Sequence, residues 1–292
     1  MTTTLSKTPP PLKRRLPAPL RRFLKNKLAV IGLFVLLVFA VAALLAPQVA
    51  PFDPAQIFFS DLRAAPNSVH PFGADELGRD IFSRVVYGAR VSLSAGLISV
   101  SLALVFGASI GLIAGYIGGW LDDVLMRFVD ALLSLPFLVL AIALAAILGP
   151  SLQNTMIAIA IVTAPAFARI TRGEVLSQRE RDYVQAAQAL GAGDGRLITR
   201  HLLPNISGAL IVQTSLAIAN AILAEASLSF LGLGIQPPAP SWGSMLNAAR
   251  GYLTDAPWMA LFPGIAIFLA VLAFNLIGDG LREALDPRSQ KS

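Results

Sequence analysis

The chain has 292 residues, of which 55% are apolar and 14% charged, with a mean hydropathy of +0.68; soluble domains carry about 25% charged residues, so the composition excludes a water-soluble protein and places the chain in lipid. It contains no cysteine, which excludes disulfides, thiolate metal sites and thiol nucleophiles. The formal charge of +6 and pI of about 10.1 do not indicate nucleic-acid binding, because the basic residues flank apolar runs instead of covering a polar domain.

Lys7, Lys13, Arg14, Arg15, Arg21, Arg22, Lys25 and Lys27 precede the first apolar run, as a cytoplasmic flank does under the positive-inside rule. That run, residues 28–46, holds no charge and stops at Pro47. It exceeds the roughly 7–15 residues of a signal-peptide core and reads as a retained span. Residues 50–90 follow, rich in proline and glycine (Pro51, Pro54, Pro66, Pro71, Gly73, Gly78), and predict an ordered, irregular cap.

A bilayer crossing needs about 20 apolar helical residues. The second stretch, 91–117, lies in the charge-free interval between Arg90 and Asp122, and its Gly96, Gly107, Gly111 and Gly115 predict close helix packing. The interval from Asp130 to Arg169 is too long for one span and is broken at Gly149, Pro150, Ser151, Gln153 and Asn154, so it predicts spans three and four. Span five covers 206–232 with Glu225 as its single charge, and span six covers 258–278, ending at Asp279. The reading is an all-α polytopic membrane protein with six transmembrane helices and both termini cytoplasmic. Loops 50–90 and 233–257 then face outward and 169–204 inward. The inward loop carries Arg169, Arg172, Arg179, Arg181, Arg196 and Arg200, against Arg250 alone in the second outward loop. Arg63, Arg79, Arg84 and Arg90 in the first outward loop run against the rule and are offset by Asp53, Asp61, Asp75, Glu76 and Asp80.

Within the inward loop, residues 183–205 read YVQAAQALGAGDGRLITRHLLPN. Val184, Ala187 and Leu190 fall at helical spacing, Gly191 supplies a left-handed helix end, and Asp194 is placed to cap a second short helix. Leu197, Ile198, Leu202 and Leu203 form a second apolar set, and Pro204 suits the first turn of span five. Such an amphipathic elbow has two uses: lying in the lipid interface, or docking a soluble partner, for which Ala186 and Ala187 allow close approach.

The pattern Gln185-Ala186-Ala187, then Gly191, then Leu203-Pro204 resembles the EAA loop of binding-protein-dependent ABC importer permeases. The resemblance implies that Ala186, Ala187 and Gly191 contact an ATPase subunit, with Leu203 and Pro204 leading into span five. Gln185 stands where that family carries glutamate; it keeps hydrogen-bonding capacity without the charge. The segments HPFGADELGRDIFSRVVYGARVSL (70–93), FLGLGIQPPAPSWGSM (230–245) and DGLREALDPR (279–288) are similar to the C-type permease of dipeptide, oligopeptide and nickel importers. This implies an ABC type I importer transmembrane fold divided into a basic tail (1–27), a first helix and outward loop (28–90), a core (91–283) with its coupling loop at 172–204, and a second tail (284–292). It also implies two ATP-binding subunits, a sister permease in a heterodimer, membrane lipid around the pair, and an extracytoplasmic solute-binding protein meeting 70–80 and 236–245. The implied cargo is a dipeptide or oligopeptide, with nickel chelates, glutathione or another small solute as alternatives. No cofactor of its own is implied, ATP being bound by the ATPase partners.

The chain contains no G-x-x-x-x-G-K-[ST] order, so nucleotide hydrolysis falls to another subunit. No H-E-x-x-H occurs either, and the scattered Ser, Asp and Glu residues have no base nearby in sequence, which argues against a membrane enzyme. An ion-gradient-driven transporter needs charged positions paired between spans, and only Glu225 lies well inside one. Glu225 is a candidate pore-lining residue or an interhelical hydrogen-bond partner. Asn275, Asp279 and the Arg127/Asp130 pair read as helix-end charge pairing or capping. His70 and His201, the only histidines, fall on opposite sides of the membrane and form no joint metal site.

Overall fold

The computed structural model describes residues 18–285. Lys7, Lys13, Arg14, Arg15 and the last residues of the C-terminal tail lie outside the described residues.

The chain order is α1 (Ala18–Phe23), α2 (Lys27–Leu44), α3 (Ala46–Val49), α4 (Ile81–Ile117), α5 (Gly119–Leu133), α6 (Phe137–Leu148), α7 (Leu152–Arg179), α8 (Asp182–Ala189), α9 (Asp194–Arg196), α10 (Leu203–Phe230), α11 (Trp242–Ala249) and α12 (Trp258–Leu285). Among the described residues, five helical stretches are long and apolar enough to cross a membrane, and the count is six if the α5–α6 pair, bent by 93°, makes one crossing.

The first span ends earlier than its hydropathy predicts. Asn26 caps α2 by accepting from the Ala29 N–H at 3.1 Å. At the other end the guanidinium of Arg90 donates to the carbonyls of Ala43 and Leu44, a cation on the negative end of the helix dipole. Pro47 then sits in the first turn of the separate helix α3, where its missing N–H costs nothing.

Helix α4 starts ten residues before the charge-free interval, because Asp80 caps it, accepting from the Ser83 N–H at 2.7 Å. Its small residues let α7 approach. A side chain at Gly107 would strike the Ala164 carbonyl, one at Gly111 the Ala168 carbonyl, and one at Gly115 would stand 3.0 Å from the Arg172 carbonyl. This i, i+4, i+8 register makes α4 and α7 a parallel, closely packed pair.

Helix already runs through Asp130, where the sequence places the start of span three. Pro136 lacks an N–H and disfavours helix in the residue before it, so the chain breaks between α5 and α6. The 12 residues of α6 reach only about 18 Å, short of a bilayer core, and a crossing forms here if α5 joins it across the 93° bend. The charges of α5 are held from α7: Arg172 makes a bidentate pair with Asp122 at 2.6 and 2.7 Å, and Arg169 meets Asp130 at 2.5 Å. Asp130 thus pairs between helices and does not cap one. The turn into α7 is built by Asn154, which donates to the carbonyls of Leu148 and Gly149.

The connection 50–80 contains one 3-10 turn, Phe59–Asp61, and otherwise irregular chain. It is held by buried charge. Arg79 pairs with Asp75 (2.7 Å) and Glu76 (2.8 Å), Arg84 with Asp75 (3.3 Å), and His70 Nδ1 lies 2.9 Å from Asp80. Arg84 also donates to the carbonyls of Pro54 and Pro238, joining this connection to the one after α10. These two connections form the cap end. The opposite end carries α8, α9 and the last turns of α12, whose Leu285 approaches Gly208; this is the elbow end.

Candidate functional site

Arg179 and Tyr116 fix the elbow between α7 and α10 to the rest of the bundle. Arg179 donates to the Tyr116 carbonyl at 2.8 Å, covering the C-terminal carbonyls of α4, and the Tyr116 hydroxyl donates to Asp194 at 2.5 Å. Val184, Leu197 and Leu202 are buried against Val175 of α7 and Ile206 of α10, with Leu112 and Tyr116 of α4 beside them. The elbow therefore touches three long helices at once.

Gly191 takes a φ of +80°, and the N–H groups of Gly191 and Ala192 return to the carbonyls of Gln188 and Ala187. This paired closure is the Schellman end that the sequence predicts, and it needs a residue free of Cβ strain. Two other expectations change. Gly193, not Asp194, occupies the cap position of α9, and Asp194 serves as acceptor for Tyr116. Leu190 does not join Val184 and Ala187 on the inner face: it follows the last helical residue, where the chain turns outward, and is 89% exposed.

Gln185, Ala186 and Gly191 are exposed beside Leu190, whereas Ala187 is half-buried. Gln185 folds back to donate to the Glu180 carbonyl at 3.3 Å. Leu203 and Pro204 are exposed at the far side of the elbow, in the first turn of α10. The turn before them, Leu197–Leu202, is a π-helix, a local widening that eases the clash a proline ring makes with the preceding turn. Asn205 donates its side-chain amide to the His201 carbonyl at 2.6 Å, covering an acceptor at that turn.

Glu225 lies in α10 toward the cap end and is fully buried. Its carboxyl accepts from Ser92 of α4 (2.9 Å) and from Ser229 (2.7 Å). Ser92 in turn accepts from the Trp242 N–H at 3.3 Å, and the Trp242 indole donates to the Val85 carbonyl. The carboxyl is thus the centre of a knot joining α4, α10 and α11, and no described groove contacts it. Of the segments 70–80 and 236–245, the first is largely inward: His70, Asp75, Arg79 and Asp80 are buried, and Leu77 is exposed. Residues 236–239 are exposed.

Two features escaped the sequence reading. Gly107-Ala108-Ser109-Ile110-Gly111 spells G-x-S-x-G, but it lies within α4 and the Ser109 hydroxyl is bound to the Val105 carbonyl; a nucleophile elbow needs a strand-to-helix turn. The second is a groove of about 540 Å³ between α6, α7 and α10, lined by Thr163, Gln213, Asn220 and Ser227 among apolar residues. The signal was the spacing of seven between Gln213, Asn220 and Ser227 in span five, which brings them to one helix face.

Residues 107–291 match the family of the binding-protein-dependent transport system inner membrane component, and residues 19–66 match the N-terminal transmembrane domain of oligopeptide transport permease C. The chain is 50% identical over 264 residues to the dipeptide transport system permease protein DppC of Alkalihalophilus pseudofirmus, covering 90% of this chain and 87% of that protein. It is 48% identical to the di/tripeptide transport system permease protein DppC of Pseudomonas aeruginosa, covering 93% of each. It is also 48% identical to the glutathione transport system permease protein GsiD of Pectobacterium atrosepticum, covering 92% of this chain and 89% of that one. Among solved structures, an inward-facing form of the MetNI methionine ABC transporter shares the fold with a TM-score of 0.58 at 19% identity, over 70% of this chain and 98% of that chain. The chain belongs to the inner-membrane components of binding-protein-dependent transport systems, the multi-pass permease subunits of ABC importers, which work with ATPase and substrate-binding partners.

Proposed function

We propose that this chain forms one half of a translocation pore for short peptides, pairs with a distinct sister permease, and is driven through its elbow by two ATP-binding subunits. The single observation that carries this reading is the division of the elbow into an anchored inner side and a bare tip at Ala186, Leu190 and Gly191. A protein that grips the tip pushes α7 and α10 directly and α4 through Tyr116 and Arg179, so force at one point moves three spans together. The lipid-interface alternative is the weaker one, because the exposed side of α8 and its turn offers Gln185, Ala186, Gln188 and Ala189 with Tyr183 and Leu190 as its only large apolar groups, too little apolar area for interfacial burial.

In this reading the elbow end lies in the cytosol. Arg181, Arg196 and Arg200 are exposed there, while at the cap end Arg79, Arg84 and Arg90 are consumed by carboxylates and carbonyls. The solute-binding protein docks on the cap end. ATP hydrolysis resides in the partners, and this chain supplies neither a catalytic group nor a cofactor.

The peptide cargo follows from the DppC relatives at 48–50% identity. Glutathione is the second reading, favoured by the GsiD relative. The test is uptake by the full complex in proteoliposomes. Leu190→Glu is expected to lower dipeptide uptake at least tenfold with normal membrane insertion; undiminished uptake rejects the elbow mechanism, and uptake without the ATPases rejects ATP drive. Competition between a dipeptide and glutathione decides the cargo.

A further inference from the structure

Gln213, Asn220 and Ser227 recur every seven residues along α10. Seven residues advance about 10.5 Å and return to within about 20° of the same direction, so the three groups form a ladder about 21 Å long on one face. Thr163 of α7 stands on the opposite wall of the groove. Ser227 satisfies itself on the Leu223 carbonyl at 2.8 Å. The amides of Gln213 and Asn220 make no side-chain hydrogen bond among the described residues, and Asn220 is exposed.

An amide without a partner is costly in hydrocarbon, so this face does not point at lipid tails. The contrast lies on the other side of α7. There a groove of about 440 Å³ is bounded by Phe106, Phe128, Ile157 and Ile161 and is apolar throughout, as a lipid-facing surface is. The polar groove instead runs on toward the cap end through Leu138, Leu223 and Ser227, which also line a further hollow reaching Phe230, Leu246 and Ile267. The result is a trough along most of α10. The residues that line it carry no charge, and its volume suits a ligand of a few residues.

We propose that this trough is the solute path of the chain and that Gln213 and Asn220 hydrogen-bond the amide backbone of a passing peptide. An amide side chain offers both a donor and an acceptor, as a peptide group does, and reads no side chain. That suits cargo of varied sequence. The absence of charge keeps the bound state weak enough for the cargo to leave. The inference rests on the peptide-permease reading and adds the surface on which the peptide travels. It also assigns the path to neutral amides and not to Glu225.

Because the chain has no cysteine, single Gln213→Cys, Asn220→Cys and Ile161→Cys variants of the full complex report exposure to water. The first two are expected to react with a charged, membrane-impermeant thiol reagent at least tenfold faster than the third, and excess dipeptide is expected to slow them. Separately, Asn220→Leu is expected to lower dipeptide uptake about tenfold, with Asn220→Gln restoring most of it and assembly with the sister permease unchanged. Silence of both polar positions toward the reagent, or full uptake by Asn220→Leu, overturns the proposal. Loss of assembly in Asn220→Leu overturns it in favour of a seam between permease chains. If the unmodified complex moves no peptide while positions 213 and 220 still label, the cargo reading fails and the water-filled trough stands.

Discussion

Ser92 and Glu225 meet across the α4–α10 interface, the serine hydroxyl donating to the carboxyl at 2.9 Å with both residues buried. Removing the carboxyl leaves the Ser92 and Ser229 hydroxyls without their acceptor and opens a cavity. Glu225→Ala is expected to cost about 2–5 kcal/mol, read as a fall in the melting temperature of the purified complex, with transport falling in step. Glu225→Gln keeps one acceptor and a similar shape, and is expected to cost about 1 kcal/mol. Lost transport at an unchanged melting temperature in Glu225→Ala returns the carboxyl to the pore.

Gly111 is the tightest test of helix approach that the packing offers. A methyl group there meets the Ala168 carbonyl and lies 2.8 Å from the Thr171 Cβ, backbone and branch atoms that cannot swing aside. Gly111→Val is expected to part α4 from α7 and to destabilise the chain by about 1–3 kcal/mol or more. Gly173→Ala, with nothing within 4 Å, is the control and is expected to leave the melting temperature within experimental error or raise it slightly, since alanine favours helix.

Arg90 separates charge that directs topology from charge that builds structure. Its guanidinium holds the end of α2 and its ring neighbour Tyr87 lies 5.5 Å from it, whereas Arg63 is exposed over Tyr252 at 5.2 Å. Arg90→Met is expected to loosen α2, costing about 0.5–2 kcal/mol and increasing protease cleavage in residues 45–50. Arg63→Met is expected to change neither. Equal effects of the two would remove the capping role.

Lipid made the long helices legible, because a crossing demands about 20 apolar residues whatever the neighbours. The glycine spacing of α4 and the left-handed Gly191 were legible for the same reason: a missing Cβ has few uses. Charge misled the boundaries. The charge of Arg90 marks the start of span two by hydropathy, yet its guanidinium is held by the Ala43 and Leu44 carbonyls, and Asp80 starts the helix earlier. The helix before Pro136 was hidden because Asp122 and Asp130 are matched by Arg172 and Arg169 from another helix. Helix α11 was passed over although Ser241 and Ser244 form a reciprocal capping box, since an eight-residue helix leaves no hydropathy signal. Asn220 and Gln213 were missed because neutral amides do not interrupt an apolar run, while Glu225 drew attention by its charge and proved to be buried.

Tyr116 gives the most direct test of force transfer from the elbow. Its hydroxyl is the side-chain hydrogen bond from α4 to α9, made to Asp194 at 2.5 Å, while the ring packs against the Val184 and Leu197 cluster. Tyr116→Phe removes the bond and keeps the ring, so global stability is expected to change little. Losing a hydrogen bond to a carboxylate near the surface is worth about 1 kcal/mol, which predicts about fivefold faster amide hydrogen exchange in residues 190–200. If that bond carries motion between the tip and α4, the number of peptides moved per ATP hydrolysed falls while ATP hydrolysis persists. Faster exchange with an unchanged transport ratio would show that the packed cluster alone transmits the push, and Leu197→Ala would then be the substitution that uncouples it.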